Sequence, residues 1–220
     1  MRQRFWRMIH QRAWLLMGLA SAFAISVVLR RRALRLMSTK DLAALWVGGI
    51  ETMLLKGGTI SLAPTASADE SRASFGGARP FDGVAFALTA FDPPGVSRSR
   101  AENAAANGDL WKELQALRAP YAWRAFGVDV DEGWREDGFA VAWPETDADA
   151  ARPGVVAAAR AFDQGAIYEY AWRDGALVRR TRGVAVAVDE TTFMRAVSHD
   201  DLRARSDLFA LPWAGPADFP

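Results

Sequence analysis

Residues 84–91 form an apolar run bounded by Asp82-Gly83 and by Pro93-Pro94-Gly95, the pattern of a strand buried on both faces. Ser99-Arg100-Ala101-Glu102 then matches a capping box. Asn103, Asn107, Leu110, Leu114 and Leu117 fall on one face of the helix it opens, which Gly108 weakens without ending. Residues 121–126, closed by Gly127, and residues 139–143, closed by Pro144, predict two strands joined by an acidic, glycine-containing loop. Pro153 at a first helical turn begins a short alanine-rich helix to about Phe162. Residues 166–172 and 176–181 alternate around Arg173-Asp174-Gly175 and predict a hairpin.

Strand, helix, strand, strand, helix, strand, strand is a ferredoxin-like βαββαβ core with one extra strand. The expected fold is therefore α+β, a mostly antiparallel sheet with helices on one face. Its predicted core is Val84, Phe86, Leu88, Leu110, Leu114, Leu117, Phe139, Val141, Val155, Ala159, Phe162 and Ile167. Residues 69–80, rich in Ser, Gly, Ala and Arg, read as a linker. Residues 40–56 predict an amphipathic helix capped by Thr39, with Leu42, Leu45, Trp46, Ile50, Met53 and Leu54 on one face and Gly57-Gly58 as its stop. After 188 a tail, 189–220, holds a helix near 191–197 and ends in coil.

The N-terminus follows another logic. Arg2, Arg4, Arg7 and Arg12 precede an apolar stretch at 13–20, and Ala20-Ser21-Ala22 offers small residues for cleavage, the three parts of a signal peptide over 1–22. Arg30, Arg31, Arg32 and Arg35 follow with Ser38 and Thr39, and no acid precedes Asp41, which is the chemistry of a transit segment over 23–40. A signal joined to a transit segment just before Phe23 resembles the bipartite presequences of algae with secondary, red-lineage plastids, and implies delivery to a plastid (chloroplast) by the secretory route. The competing reading is a membrane anchor through residues 13–29, at the lower end of what spans a bilayer. Contact with a membrane is expected only if that segment is retained. The resulting organisation is 1–22 signal peptide, 23–40 transit-type segment, 41–80 amphipathic helix and linker, 81–188 folded domain, and 189–220 tail.

Charge follows the same division. Residues 1–68 carry +8, residues 69–188 carry −4 and residues 189–220 carry −3, within a net +1. The part that must fold is acidic, which disfavours nonspecific binding to nucleic acid, and the aromatic motifs of RNA-recognition sheets are missing. With no cysteine and only His10 and His199, thiolate chemistry, cysteine-ligated metals and a Ser-His-Asp triad in the core lack material. No cofactor and no metal is expected, and any catalysis falls to carboxylates, hydroxyls, amides or arginine.

Thr89, Asp92, Ser99 and Asn103 converge where the first strand of this pattern hands over to its helix. Helix N-termini present unpaired N–H groups to anions, and Arg98 and Arg100 stand beside this one. A pocket for a phosphate or carboxylate results, with Glu136 and Gln164 reaching in from later elements. The same residues have a plainer reading: Ser99 caps the helix, Asp92 closes a turn before Pro93, and Asn103 bonds the strand end. Asp129, Asp131, Glu132, Glu136 and Asp137 form the densest carboxylate group, which reads as a solvated acidic loop. Trp111, Trp123, Trp134, Trp143 and Trp172 read as core or sheet-face packing, and Arg179, Arg180 and Arg182 as charge on an edge strand.

The segments 86–93, then Ser99 and Asn103, then 134–141, then 162–167 resemble, in order and spacing, the bacterial domain-of-unknown-function family number 3293. The likeness covers Phe81 to Arg182. It carries the family's strand ending Thr-Ala-x-x-Pro, its helix opening with Ser and Asn, its Glu-x-Gly-Phe segment and its late Gln-x-Ala-Ile. Phe91 stands where the family has Trp, and Asp92 where it has Asn, an acceptor replacing a donor-plus-acceptor. The resemblance implies a fold relative without an assigned activity. The expectation is an uncharacterised module that binds a protein partner or a small acidic ligand without catalysis. The alternative is an enzyme using Asp92, Asn103, Glu136 and Gln164, whose side chains must then converge in one concave pocket with shifted pKa values.

Overall fold

The computed structural model describes residues 48–55, 58–93, 98–131, 133–185, 187–216 and 219. The signal, transit and anchor expectations, and the start of the expected helix at 40–56, lie outside these residues. The expected open sheet is corrected: eight antiparallel strands close into a barrel, in the order β1-β2-β8-β7-β6-β3-β5-β4. The strands are β1 (Ile50–Leu55), β2 (Gly58–Thr65), β3 (Val84–Thr89), β4 (Tyr121–Asp129), β5 (Trp134–Trp143), β6 (Ala166–Arg173), β7 (Ala176–Gly183) and β8 (Asp189–Val197). The helices are α1 (Ala68–Phe75), α2 (Arg100–Ala116), α3 (Glu145–Ala161) and α4 (His199–Arg205), followed by a 3₁₀ turn at Asp207–Ala210.

The middle of the chain has the expected order, β3-α2-β4-β5-α3-β6-β7. Such a sheet ends in two open edges, β4 and β7, and the flanking segments pair with both. β1 adds to β4, β8 adds to β7, and β2 joins β1 to β8. Closure removes the edges, which an open sheet must otherwise protect. The body expected over 81–188 therefore extends on both sides.

The element errors share a cause. In β1, Glu51 and Met53 face one side while Ile50 and Leu54 pack under the C-terminal helices, so both faces are covered and the alternation that marks a strand is blurred. The tail segment 191–197 is β8 rather than a helix, because β2 and β7 offer it pairing on both sides. Residues 69–80 contain a helix instead of only a linker: Ser67 caps α1 by accepting from Glu70 N, and Gly76 ends it in the left-handed conformation. Ser71 accepts from Leu177 N at 2.9 Å and Ser74 from Ala196 N at 3.0 Å, so α1 bonds the barrel wall near the start of β7 and the end of β8. Helix α3 begins at Glu145 and runs through Pro153 instead of starting there. β7 lies between β6 and β8, so Arg179, Arg180 and Arg182 do not sit on an edge.

All twelve predicted core residues pack in one cluster between the outer face of β3, β5 and β6 and helices α2 and α3. The C-terminal chain covers the outer face of β4 and β5. Asp137, fully buried, accepts from Arg135 at 2.7 Å and from Ala214 N at 2.9 Å, and pairs with Arg100 at 3.3 Å. Arg135 in turn donates to Leu208 O at 2.7 Å and Leu211 O at 2.9 Å, which straps the tail to the barrel.

Candidate functional site

Strand alternation sends every second residue inward, and the pairing registers fix which ones. Glu51 pairs with Gly127, and Gly127 with Glu136. Met53 pairs with Ala125, and Ala125 with Gly138. On the far wall Tyr170 pairs with Arg179 and Tyr168 with Thr181. β3 and β5 line the interior with Ala85, Ala87, Ala140 and Ala142, and these small residues accommodate the bulky β6 aromatics: Ala85 pairs with Tyr170 and Ala87 with Tyr168. Gly138 is required here, since a Cβ would lie 2.4 Å from Leu88 O.

The lumen has two halves. One is apolar and closed by aromatic rings: Phe75 meets Trp172 edge-on at 5.0 Å, Phe81 lies 6.1 Å from Trp123, and Trp172 Nε1 donates to Phe81 O at 3.0 Å. The other is polar and holds Glu51, Glu136, Tyr168, Tyr170, Arg179 and Thr181. Its rim is partly open, because Gly127, Asp129, Trp134, Glu136 and Tyr168 all retain some exposure.

Burial governs the electrostatics of this half. Glu51 is 4% exposed, and burial pushes its carboxyl up to about 8 against the opposing pull of Arg179. Glu136 is also pushed up to about 8, by its protein surroundings first and then by the charges of Asp92 and Glu51. Burial likewise raises Tyr168 and Tyr170. Arg179 is fully buried, donates to Gly49 O at 2.8 Å, and holds its guanidinium carbon 4.6 Å from the centre of the Tyr168 ring. Thr181 is fully buried too, and its hydroxyl has no hydrogen-bond partner among the described residues. Glu51 Oε2 and a Trp134 ring carbon each lie 3.6 Å from the point a Gly127 Cβ would occupy, so a carboxyl and an indole converge over a residue with no side chain.

Of the six residues singled out in the sequence, Glu136 enters this half. Thr89 shares its inward face, but its hydroxyl donates to Asp137 O at 2.7 Å and accepts from Phe91 N at 2.9 Å. The others build the joint between β3 and α2. Asp92, at φ 23°, accepts from Arg98 N at 2.7 Å and from Asn103 Nδ2 at 3.1 Å, while its own N–H donates to Asn103 Oδ1 at 3.0 Å. Ser99 and Glu102 form the capping box. Gln164 Nε2 donates to Phe91 O at 3.1 Å. Arg98 donates to Ala90 O at 3.1 Å and Arg100 pairs with Asp137, so both cations expected to hold an acidic ligand are engaged. Asp92 meets Glu136 through its charge, which ties the joint to the rim of the lumen.

Glu51, Tyr168, Tyr170, Arg179 and Thr181 were missed. A signal for most of them existed: a tight hairpin turn at Asp174-Gly175 aligns Trp172, Tyr170 and Tyr168 with Leu177, Arg179 and Thr181 on a single face. Glu51 had no such signal, since the segment around it read as a helix.

Outside the barrel, a groove of about 400 Å³ is lined by Arg72, Arg173, Arg180, Val178 and Phe193 among others. Its arginines are matched by Asp69, Glu145 and Asp189. Among the described residues no group of three or more His, Asp or Glu is placed to hold a metal ion.

Residues 88–167 match a family model described as "Protein of unknown function (DUF3293)". The match runs from the end of β3 to the start of β6 and contains Asp92, Ser99, Asn103, Glu136 and Gln164, while Glu51, Arg179 and Thr181 lie outside it. No curated protein and no solved structure matches the chain.

Proposed function

We propose that this uncharacterised domain is a small-ligand-binding barrel whose site is the polar half of the lumen. The observation that carries the reading is the placement of Glu51 and Glu136 on either side of Gly127, inside the barrel and across from Arg179. Ionisable groups in a lumen cost free energy that apolar side chains would not, so their retention there points to use. An eight-stranded barrel is also the size that holds one small ligand. The test is a fragment screen by NMR on the full chain. Binding is expected to shift the Trp134 and Tyr168 signals, and E136Q to change the set of fragments bound. Fragments that cluster only in the outer groove near Phe193 overturn the reading.

A second reading, an enzyme, is favoured by one observation: both lumen carboxyls are pushed to about 8, where each can give or take a proton near neutral pH. It rests on Glu51 and Glu136 rather than on Asp92, Asn103 and Gln164. With any turned-over ligand, E136Q then abolishes turnover while binding persists. Equal loss of both returns the site to simple binding.

Delivery to a plastid by the secretory route is the accompanying proposal, supported by the arginine-rich, acid-free composition of residues 1–40. The mature N-terminus of protein from its own cells tests it. A start beyond residue 22 supports removal of the leader, and a start at Met1 favours the anchor through residues 13–29.

A further inference from the structure

We infer that His199 is a proton-operated latch on the C-terminal strap: a proton on its imidazole shifts α4 and the chain behind it, residues 207–214, toward a form lifted off the outer face of β4 and β5. The latch lies outside the barrel wall and owes nothing to the lumen.

The imidazole is placed as an acceptor. Its Nδ1 lies 3.1 Å from Ser61 Oγ, which lies 2.9 Å from Thr52 Oγ1, and both hydroxyl residues are fully buried. The two hydroxyl protons are satisfied together in one way: Thr52 donates to Ser61, and Ser61 donates to an unprotonated Nδ1. A protonated Nδ1 can only donate, and one of the two buried protons then has no acceptor among the described residues.

The new charge also arrives beside the cation that holds the strap. Phe126 stands between the two: Arg135 lies over its face, 3.7 Å from the ring centre, and His199 meets the same ring edge-on at 6.4 Å. Arg135 donates to Leu208 O and Leu211 O, so repulsion acts on the anchor of the strap itself. As the first residue of α4, His199 also sits at the positive end of that helix. Burial first, then Arg203 and Arg135, hold the imidazole below its ordinary value against the pull of Asp200. Asp201 and Arg205 complete the charges of α4, and Asp137 pairs with Arg135 on β5. β1, β2 and β4 face the imidazole with Thr52, Ser61 and Phe126. Val197 of β8 packs in the same apolar cluster, with Arg195 beyond it paired to Glu70. The 3₁₀ turn opens with Asp207 and sets Phe209 edge-on to the imidazole at 6.1 Å.

The strap covers a defined surface. Trp213 meets Phe139 edge-on at 5.5 Å, and its Nε1 donates to Ala125 O at 3.2 Å and Gly138 O at 3.3 Å. Opening frees that indole and uncovers Phe139 on its outer side. In the open form the imidazole titrates near its ordinary 6.5, and the closed form holds it lower, so the open form binds the proton more tightly. The closed form is at full strength above about 6.5 and loses strength as pH falls below it, levelling once the closed form is protonated too. Each pH unit between the two values is worth about tenfold in the opening equilibrium.

The test follows the full 220-residue chain by hydrogen exchange, with rates corrected for the intrinsic effect of pH, and by NMR of the His199 imidazole and the Trp213 indole. From about pH 7.5 to about pH 5, amides in residues 199–214 are expected to open about tenfold more often, while those of β3 and β6 do not change. The midpoint is expected to coincide with the titration of His199, and the Trp213 indole N–H signal to move with it. R203Q, at an exposed position, removes one of the cations acting on His199 and is expected to raise both midpoints together. H199Q, which cannot take the charge, is expected to show no pH response over this range, whether it starts closed or partly open. A response that persists in H199Q belongs to Asp137 or another acid and overturns the latch. So does a His199 that titrates at or above about 6.5, or an R203Q chain in which the titration moves and the opening does not.

Discussion

Glu51 and Glu136 reach the lumen from either side of Gly127, each one strand away from it, and the missing side chain between them lets the two carboxyls share one space. Burial raises the cost of ionising both, and the charge of Glu51 raises it further for Glu136. Gly127 thus belongs to the site although it contributes no functional group.

Stability is expected to fall with rising pH. A glutamate carboxyl in the unfolded chain titrates near 4.5, and both of these are pushed up to about 8 in the fold, so the folded chain holds their protons more tightly than the unfolded chain. Stability is then complete below about 4.5 and is lost progressively as pH climbs to about 8, at up to about 1.4 kcal/mol per pH unit for a fully buried group such as Glu51. Glu136, partly exposed, contributes less. Thermal melts should show a lower Tm at pH 9 than at pH 6, and E51Q should flatten that slope. A wild-type slope unchanged in E51Q and E136Q contradicts the placement of these carboxyls.

The two lumen glycines should answer differently to alanine. At Gly138 a Cβ would sit 2.4 Å from Leu88 O and 3.0 Å from Thr89, where backbone must move, so G138A should lose about 1–3 kcal/mol in urea unfolding. At Gly127 the nearest atoms stand at 3.6 Å, an ordinary contact, so G127A should keep its stability within about 0.5 kcal/mol. Equal losses at both sites would contradict these registers.

Asn107 joins four parts of the molecule. From α2 it accepts from Ala90 N at 2.9 Å and donates to Asp137 O at 2.7 Å and Ala214 O at 3.1 Å, with no exposure of its own. N107L keeps the volume and strands those backbone groups, a loss of about 2–4 kcal/mol. Limited proteolysis should then cut the chain between Arg205 and Trp213 faster than in the wild type. Unchanged cleavage would show that the tail is held without Asn107.

Ser99 separates the joint from the lumen. Its oxygen accepts from Glu102 N and its N–H donates to Glu102 at 2.6 Å, so S99A should cost about 1 kcal/mol as a lost cap. Fragment binding in the lumen should be unaffected. A tenfold loss of affinity in S99A would bring the β3–α2 joint back into the site.

The sequence alone determined what local chemistry and periodicity determine. The capping box at Ser99, the turn at Asp174-Gly175 and the apolar faces of β3, β5, α2 and α3 each declare themselves within a few residues, and together they specified the central elements and twelve residues of the core between the sheet and helices α2 and α3. The same locality explains Ser99, Asp92 and Asn103, polar residues at a joint whose plainer reading matches their observed bonds. What only the tertiary structure decided was closure. Whether residues 50–55 and 189–197 become strands depends on the open edges of β4 and β7, partners some 70 and 10 residues distant, and no local pattern records an edge. The lumen followed from that decision. Glu51, Glu136 and Arg179 come from β1, β5 and β7, and a pair of carboxyls shares one low-dielectric space only once the sheet has curled far enough to bring its two ends together.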